Sequence, residues 1–406
     1  MDFHEFRLSN GLRFIYLPWQ GSVCHTALVI GAGSRDEGPG AHGVAHFTEH
    51  VLFKGTAKRK MYHILNHLDS VGGELNAYTS REETWVHGSA PGEFLERSLD
   101  IIADITLNST FPEKEVEKER EVIIDEINSY EDQPGEMVFE KFDEVMFGKH
   151  SLGRSILGTP QSLEKIGRAE ILEFTKRHYQ PSISVLAAVG QESPAKALEL
   201  AEKYFGSWQD AGVSLSRRKP KVRRDAHVVK NRDAHQAHLA IGGEALSWYH
   251  PDNRTLALIM NYLGGPSLNS RLSYILREKH GIGYHAEANY QPYSDCGYFS
   301  FYVGTDRKNV DRCRKIIESE IRDLHNGKLK GNLLREVKRQ MKGQIVMARE
   351  SGGAVVNYLA KSALIHGYVE TPEEIFRELD AITEKDIARV SRLVFRPEEF
   401  NSIEFY

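Results

Sequence analysis

Within GVAHFTEHVLFKG, residues 43 to 55, His46, Glu49 and His50 fall inside five consecutive positions of an otherwise apolar run. On a helix, positions i and i+4 stack on one face, so His46 and His50 can offer both imidazoles to a single cation, with Glu49 beside them. The bland reading of the same residues is two core histidines with a solvated acid between them, and the pentad alone leaves both readings open. A tetrahedral catalytic zinc takes three protein ligands and keeps a fourth place for water, so a third ligand must come from elsewhere in the chain. Cys24, Cys296 and Cys313 lack paired spacing, which turns the search towards carboxylates and fits a reducing compartment.

The segment PEKEVEKEREVIIDEINSYED, residues 112 to 132, carries many acids, and the default for each is a solvated helix face. Val116, Ile123 and Tyr130 form an apolar stripe at seven-residue spacing. Glu119 and Glu126, also seven apart, border it with Val122 between them. Carboxylates beside a buried stripe need a charge partner, and a zinc ion on the two histidines would supply it while lowering their pKa. Glu126 is therefore read as the third ligand and Glu119 as the support behind it. With one zinc per chain on His46, His50 and Glu126, the pKa of a bound water can fall from 15.7 towards roughly 7, and Glu49 would take its proton.

The elements that must position these residues follow from periodicity. EFRLS, an Asn10-Gly11 turn and LRFIYLP read as a hairpin, and HTALVIG as a third strand. Helical patterns run from about 44 to 53 and 60 to 71. GELNAYTSR and ETWVHGSA alternate as strands, residues 92 to 177 are mostly helical, and SISVLAAVG is a buried strand. The polar, basic stretch SWQDAGVSLSRRKPKVRRD breaks the pattern, and its basic run is read as solvated.

Beyond it the outline repeats: a strand AHLAIGG, a helix LALIMNYLGG, strands HAEANYQPY and YFSFYVG, then a long helical region. The expected fold class is α+β, with two homologous domains, each an antiparallel sheet packed against a layer of helices. The expected division is 1–212 for a zinc-binding catalytic domain, 213–225 for a linker and 226–406 for a second domain without metal ligands. Aligning Lys54-Gly55 with Gly264-Gly265 puts Leu256, Ile259 and Met260 where His46, Glu49 and His50 stand. Aliphatic residues serve packing at those positions, so the first half uses His and Glu for something else.

At 406 residues and 40% hydrophobic content the chain can bury two cores of about 200 residues each. A net charge of −5, with Lys and Arg dispersed, argues against nucleic acid as a partner. The start MDFHEFRLSNGLRFIYLPWQ lacks a signal-peptide pattern and no apolar run reaches spanning length, so the expectation is a cytoplasmic protein without a membrane partner.

HFTEH together with KEREVIIDE resembles the inverzincin metallopeptidases, in particular the pitrilysin and mitochondrial processing peptidase family. The likeness extends through GGELNAYTS, LREKHGIGY, the NSRL segment and GYFSFYVGT, covering about residues 3 to 405. It implies a peptide or unfolded polypeptide substrate laid against the strand holding Asn76, Ala77 and Tyr78. It also implies that Arg277 and Tyr284 contact the scissile carbonyl or the oxyanion formed from it. Longer relatives of this type enclose the substrate with four such domains, so a two-domain chain implies a homodimer, with a heterodimer as the alternative and Arg277 and Tyr284 acting in trans. The segment MARESGGAVVNYLAKSAL carries no motif with an assignable role.

The sequence thus points to a zinc endopeptidase. The rival is a non-catalytic scaffold or the partner subunit of a heterodimeric processing peptidase; such relatives typically lack the full pentad. His63 and His67 share i, i+4 spacing without the accompanying glutamate and are read as ordinary helix residues.

Overall fold

The computed structural model describes residues 2–212, 215–231 and 234–406. Residue 1 of the expected first domain, residues 213 and 214 of the expected linker, and residues 232 and 233 of the expected second domain lie outside that set. The chain forms two compact units: one from 1–127, 155–217 and 346–371, the other from 128–154, 218–345 and 372–406.

The first unit is built on β1 (His4–Arg7), β2 (Arg13–Pro18), β3 (Val23–Ile30), β4 (Glu74–Thr79), β5 (Thr84–Pro91) and β6 (Ser184–Gly190), in the order β1-β2-β6-β3-β5-β4. Every pairing is antiparallel except β2 with β6. That parallel pair arises because β6 returns from the helical stretch and inserts between the hairpin and β3. Strand alternation divides the apolar residues between two faces. Leu28, Ile30, Val86 and Leu186 face a helical layer containing α1 (Val44–Leu52), α2 (Met61–Asp69) and α3 (Leu95–Leu107). Ala27, Val29, Val185 and Ala187 face the opposite way.

That second face is covered by the helix Gly352–His366, which buries Val355, Val356, Leu359, Ala360 and Ala363 against it. The segment without an assignable motif is therefore a packing element; burying each of its larger side chains stabilises the unit by about 1.5–3 kcal/mol.

The second unit holds β7 (His227–Lys230), β8 (Ala237–Ala245), β9 (Gly283–Pro292), β10 (Gly297–Thr305) and β11 (Asn401–Phe405), ordered β7-β11-β8-β10-β9. It too has one parallel pair, β7 with β11. The helix Asn253–Gly264 buries Leu256, Ile259 and Met260, as aliphatic residues at those positions predict. The helix Pro134–Phe147, from the first half of the sequence, packs Met137, Val138, Phe142 and Met146 among Ala240, Tyr302, Ile403 and Phe405 of this unit.

The compact units thus depart from a single cut at 213–225, because one helix from each half of the sequence covers the sheet formed by the other half. An apolar helix face records that it must be buried, and leaves open against which sheet. The basic stretch also differs from its solvated reading at one position: Arg217 is largely buried, with its guanidinium on Asp36 and Glu82. Among the described residues no helix is long and apolar enough to cross a membrane.

Candidate metal centre

The run Val44–Leu52 forms α1 with Val44, Ala45, Phe47, Val51 and Leu52 in the core, so both histidines are held on a firmly packed helix. Gly43 precedes it at φ +91°, a left-handed conformation suited to glycine, and a Cβ there would come within 2.7 Å of the Leu157 carbonyl. The Glu37 carboxylate accepts from the backbone N–H groups of Gly43 and Ala45, both at 3.0 Å, satisfying orphan donors at the helix start.

The two imidazoles lie 4.5 Å apart, centroid to centroid. Glu126 comes from α4 (Glu113–Glu131), its Oε2 standing 3.8 Å from His46 Nε2 and 3.4 Å from His50 Nε2. One ligand atom from each of the three residues falls within 4.8 Å of the others, the only such group of three or more among the described residues. On α4, Val116 and Ile123 are buried as the stripe predicts. Tyr130 is 38% exposed, because the helix has run past the core by its last turn.

Glu119 stands behind His50, with its Oε1 3.0 Å from His50 Nδ1. That contact orients the ring and leaves Nε2 directed to the cluster, as outer carboxylates do for metal-ligating histidines. Lys54 Nζ lies 2.6 Å from the other Glu119 oxygen. Burial would raise the Glu119 pKa, but the hydrogen bonds from His50 and Lys54 outweigh it and hold the carboxyl below its ordinary range.

The electrostatics of the cluster suit a cation. Burial, with the neighbouring His50 charge, pushes His46 down to about 4. Burial also opposes charge on His50, yet hydrogen bonds to Glu119 and Glu126 carry it up to about 9. The directions are opposite because two adjacent imidazoles cannot both be protonated at low cost. The hydrogen bond from His50, foremost, lowers Glu126. Two imidazole nitrogens and one carboxylate oxygen, backed by a carboxylate on the second ring, are the donor set of a catalytic zinc site, and the residues fit that ion.

Glu49 accepts a hydrogen bond from Thr79 Oγ1 at 2.7 Å. Burial is the main influence on its carboxyl and raises it, against the lowering by Thr79. Thr79 ends β4, which among the described residues is an edge strand paired only with β5; on it Asn76 and Tyr78 are exposed and Ala77 is buried. The Asn76 side chain accepts from the Ala77 N–H at 2.9 Å.

Arg277 and Tyr284 belong to the second unit, whereas the metal cluster belongs to the first. Arg277 lies on the π-helical turn Tyr274–Lys279, and Tyr284 near the start of β9 donates to Asp306 Oδ1 at 3.0 Å. Both line a cavity of about 300 Å³ with Ser273, Glu278 and Glu287. Among the described residues His63 and His67 belong to no three-ligand group; His67 lies 3.6 Å from Asp100.

Residues 18–160 match Insulinase (Peptidase family M16), and residues 165–341 match the Peptidase M16 inactive domain. The uncharacterized zinc protease YmxG of Bacillus subtilis is 32% identical over 393 residues, covering 96% of this chain and 95% of its own. The chain belongs to peptidase family M16. The "Probable mitochondrial-processing peptidase subunit beta" of Schizosaccharomyces pombe is 30% identical over 401 residues, covering 95% of this M16 chain and 87% of its own. In fold, the M16 chain is similar to a protease from Helicobacter pylori, with a TM-score of 0.92 at 22% identity over 100% of this chain and 99% of that one. The inactive M16 domain is matched in the half where Leu256, Ile259 and Met260 align with His46, Glu49 and His50.

Two contacts of this M16 site escaped the sequence reading. Lys54 follows His50 by four positions, a same-face spacing that signals proximity. Thr79 ends the alternating strand GELNAYT, but nothing local announces that its hydroxyl reaches Glu49 thirty residues away.

Proposed function

We propose that the chain is a zinc metalloendopeptidase acting on peptides or unfolded polypeptide segments. The observation that carries this reading is the convergence of His46 Nε2, His50 Nε2 and Glu126 Oε2, with Glu49 on the same helix held by the last residue of an edge strand. A zinc ion on those three atoms would polarise the scissile carbonyl and make water a usable nucleophile at neutral pH. Glu49 takes the proton from the attacking water on its carboxylate and returns it to the departing amine nitrogen.

The free edge of β4 accepts the substrate backbone as an added strand, for which the Asn76 side chain yields the Ala77 N–H. Because the same strand ends on the Glu49 contact, a peptide paired along it is brought to the proton-transfer group. The Arg277 guanidinium and Tyr284 hydroxyl serve as donors to the developing oxyanion.

The assembly we favour is a homodimeric chamber in which these two residues act on the partner's site. An equimolar mixture of Arg277→Ala and Glu49→Gln chains, allowed to exchange, should then recover roughly a quarter of wild-type activity, since half the dimers are mixed and each has one intact site. No recovery would sink the trans arrangement. The subunit name of the Schizosaccharomyces pombe relative supports a second assembly, a heterodimer in which another chain completes the site. The three cysteines are buried and lack paired spacing, which supports a cytoplasmic location.

The function is tested by purifying the protein without chelator, measuring zinc per chain and digesting a mixed peptide library. About one zinc per chain with internal cleavages is expected. A fully zinc-loaded protein that leaves the library intact would favour the scaffold reading.

A further inference from the structure

The segment leaving the first unit ends on Arg217, whose side chain is only 14% exposed. Its Nε and Nη2 donate to the two Asp36 oxygens at 2.9 and 2.8 Å. Nη2 also donates to the carbonyls of Gly31 at 2.8 Å and Glu82 at 3.1 Å, and Nη1 lies 3.3 Å from Glu82 Oε2. Arg35 donates to the same Glu82 carboxylate at 2.5 Å. Among the described residues, two cations and two anions meet in this largely buried cluster, where removing one partner leaves charge uncompensated.

The cluster joins two loops. One is residues 31–37, the other the turn 80–83 between β4 and β5. Ser34 and Arg35 donate their backbone N–H groups to the carbonyls of Ser80 and Arg81 at 3.0 and 2.8 Å. Gly33 lets them approach, since a Cβ there would lie 2.3 Å from the Ser80 carbonyl oxygen. Each loop leads directly to a support of Glu49. The first ends in Glu37, which caps the start of α1; the second follows Thr79, which hydrogen-bonds the Glu49 carboxylate.

We propose that Arg217 is a positioning residue for Glu49, clamping the cap of α1 and the end of β4 in one register and so making the placement of the proton-transfer group depend on the segment that leaves the first unit. The inference rests on the peptidase reading above. The partners described for Arg217, namely Asp36, Gly31 and Glu82, lie outside the cluster of His46, His50 and Glu126, so its influence runs through Glu49 orientation, with metal binding left intact. A misplacement of about 1 Å in a reacting group can cost about a hundredfold in rate.

The test combines Arg217→Gln, Arg217→Lys and Thr79→Val in steady-state kinetics with zinc content measured on each. Arg217→Gln should lower kcat by about tenfold to a hundredfold with KM and zinc content unchanged. Arg217→Lys should fall between it and wild type, because a single ammonium cannot span the fork of contacts. The Arg217→Gln, Thr79→Val double variant should lose no more than the worse single variant, the signature of two changes acting through one group. If Arg217→Gln does not fold, Arg217→Lys takes its place in the same cycle. Unchanged kcat at position 217, losses that multiply in the double variant, or a kcat that falls only as zinc is lost would each overturn the proposal in an active background. A wild-type chain without peptidase activity would instead overturn the peptidase reading, and this inference with it.

Discussion

Replacing Glu49 by glutamine should leave zinc bound and lower kcat by about 10²- to 10⁴-fold, the range contributed by a positioned general acid-base group. Glutamine keeps the shape and can still accept the Thr79 hydroxyl through its amide oxygen, so α1 and β4 retain their contact. What it lacks is a site for the proton. Burial raises the Glu49 carboxyl, which makes it a better proton acceptor than an exposed glutamate, and that advantage disappears with the charge. Metal analysis and peptide hydrolysis on the same preparation check this. Full hydrolysis by the Glu49→Gln variant would sink the assigned role.

Glu126→Gln should act on the other half of the chemistry, by abolishing tight zinc binding. Glu126 is the only carboxylate in the three-residue cluster, and it stands within 4 Å of both ring nitrogens that face it. Outer-sphere partners of ligating histidines are worth about 10- to 100-fold in metal affinity, so losing a ligand itself should exceed about 100-fold. Lys54→Met, which removes the cation holding Glu119 behind His50, should fall inside that outer-sphere range. Competition with a chromophoric chelator reads both affinities. Thermal unfolding supplies an independent check, because zinc at 1,000 times its Kd stabilises the wild type by about 4.1 kcal/mol, and a loss of affinity beyond about 100-fold should cut that to about 1.4 kcal/mol or less in Glu126→Gln at the same zinc concentration. Equal affinities for wild type and Glu126→Gln would remove Glu126 from the ligand set.

The core of the candidate site was legible because helical spacing is local geometry. His46 and His50 share a face whatever the helix packs against, and the stripe through Val116 and Ile123 places Glu119 and Glu126 on one side of a second helix. The comparison with Leu256, Ile259 and Met260 added a control from within the same chain. Tyr130 shows the limit of that logic, because a regular stripe continues in sequence after the core it served has ended.

Thr79 and Arg217 show what local spacing omits. Thr79 meets Glu49 across 30 residues and Arg217 meets Asp36 across 181, and no propensity or period encodes such meetings. The basic run around Arg217 has the composition of a solvated surface, and only the arrival of Asp36 and Glu82 makes one of its members a buried partner.

By itself, the sequence determined the element types, the duplicated outline, the pentad and the acids that accompany it, since each is written in residue spacing within one element or in repetition between halves. The tertiary structure alone decided that the helix Pro134–Phe147 packs among the second half's strands and Gly352–His366 on the first half's sheet, that β6 enters beside β2, and that the end of β4 meets Glu49. The reason is physical: an amphipathic face or a buried charge specifies only that a partner must exist, and which partner satisfies it depends on how the whole chain packs.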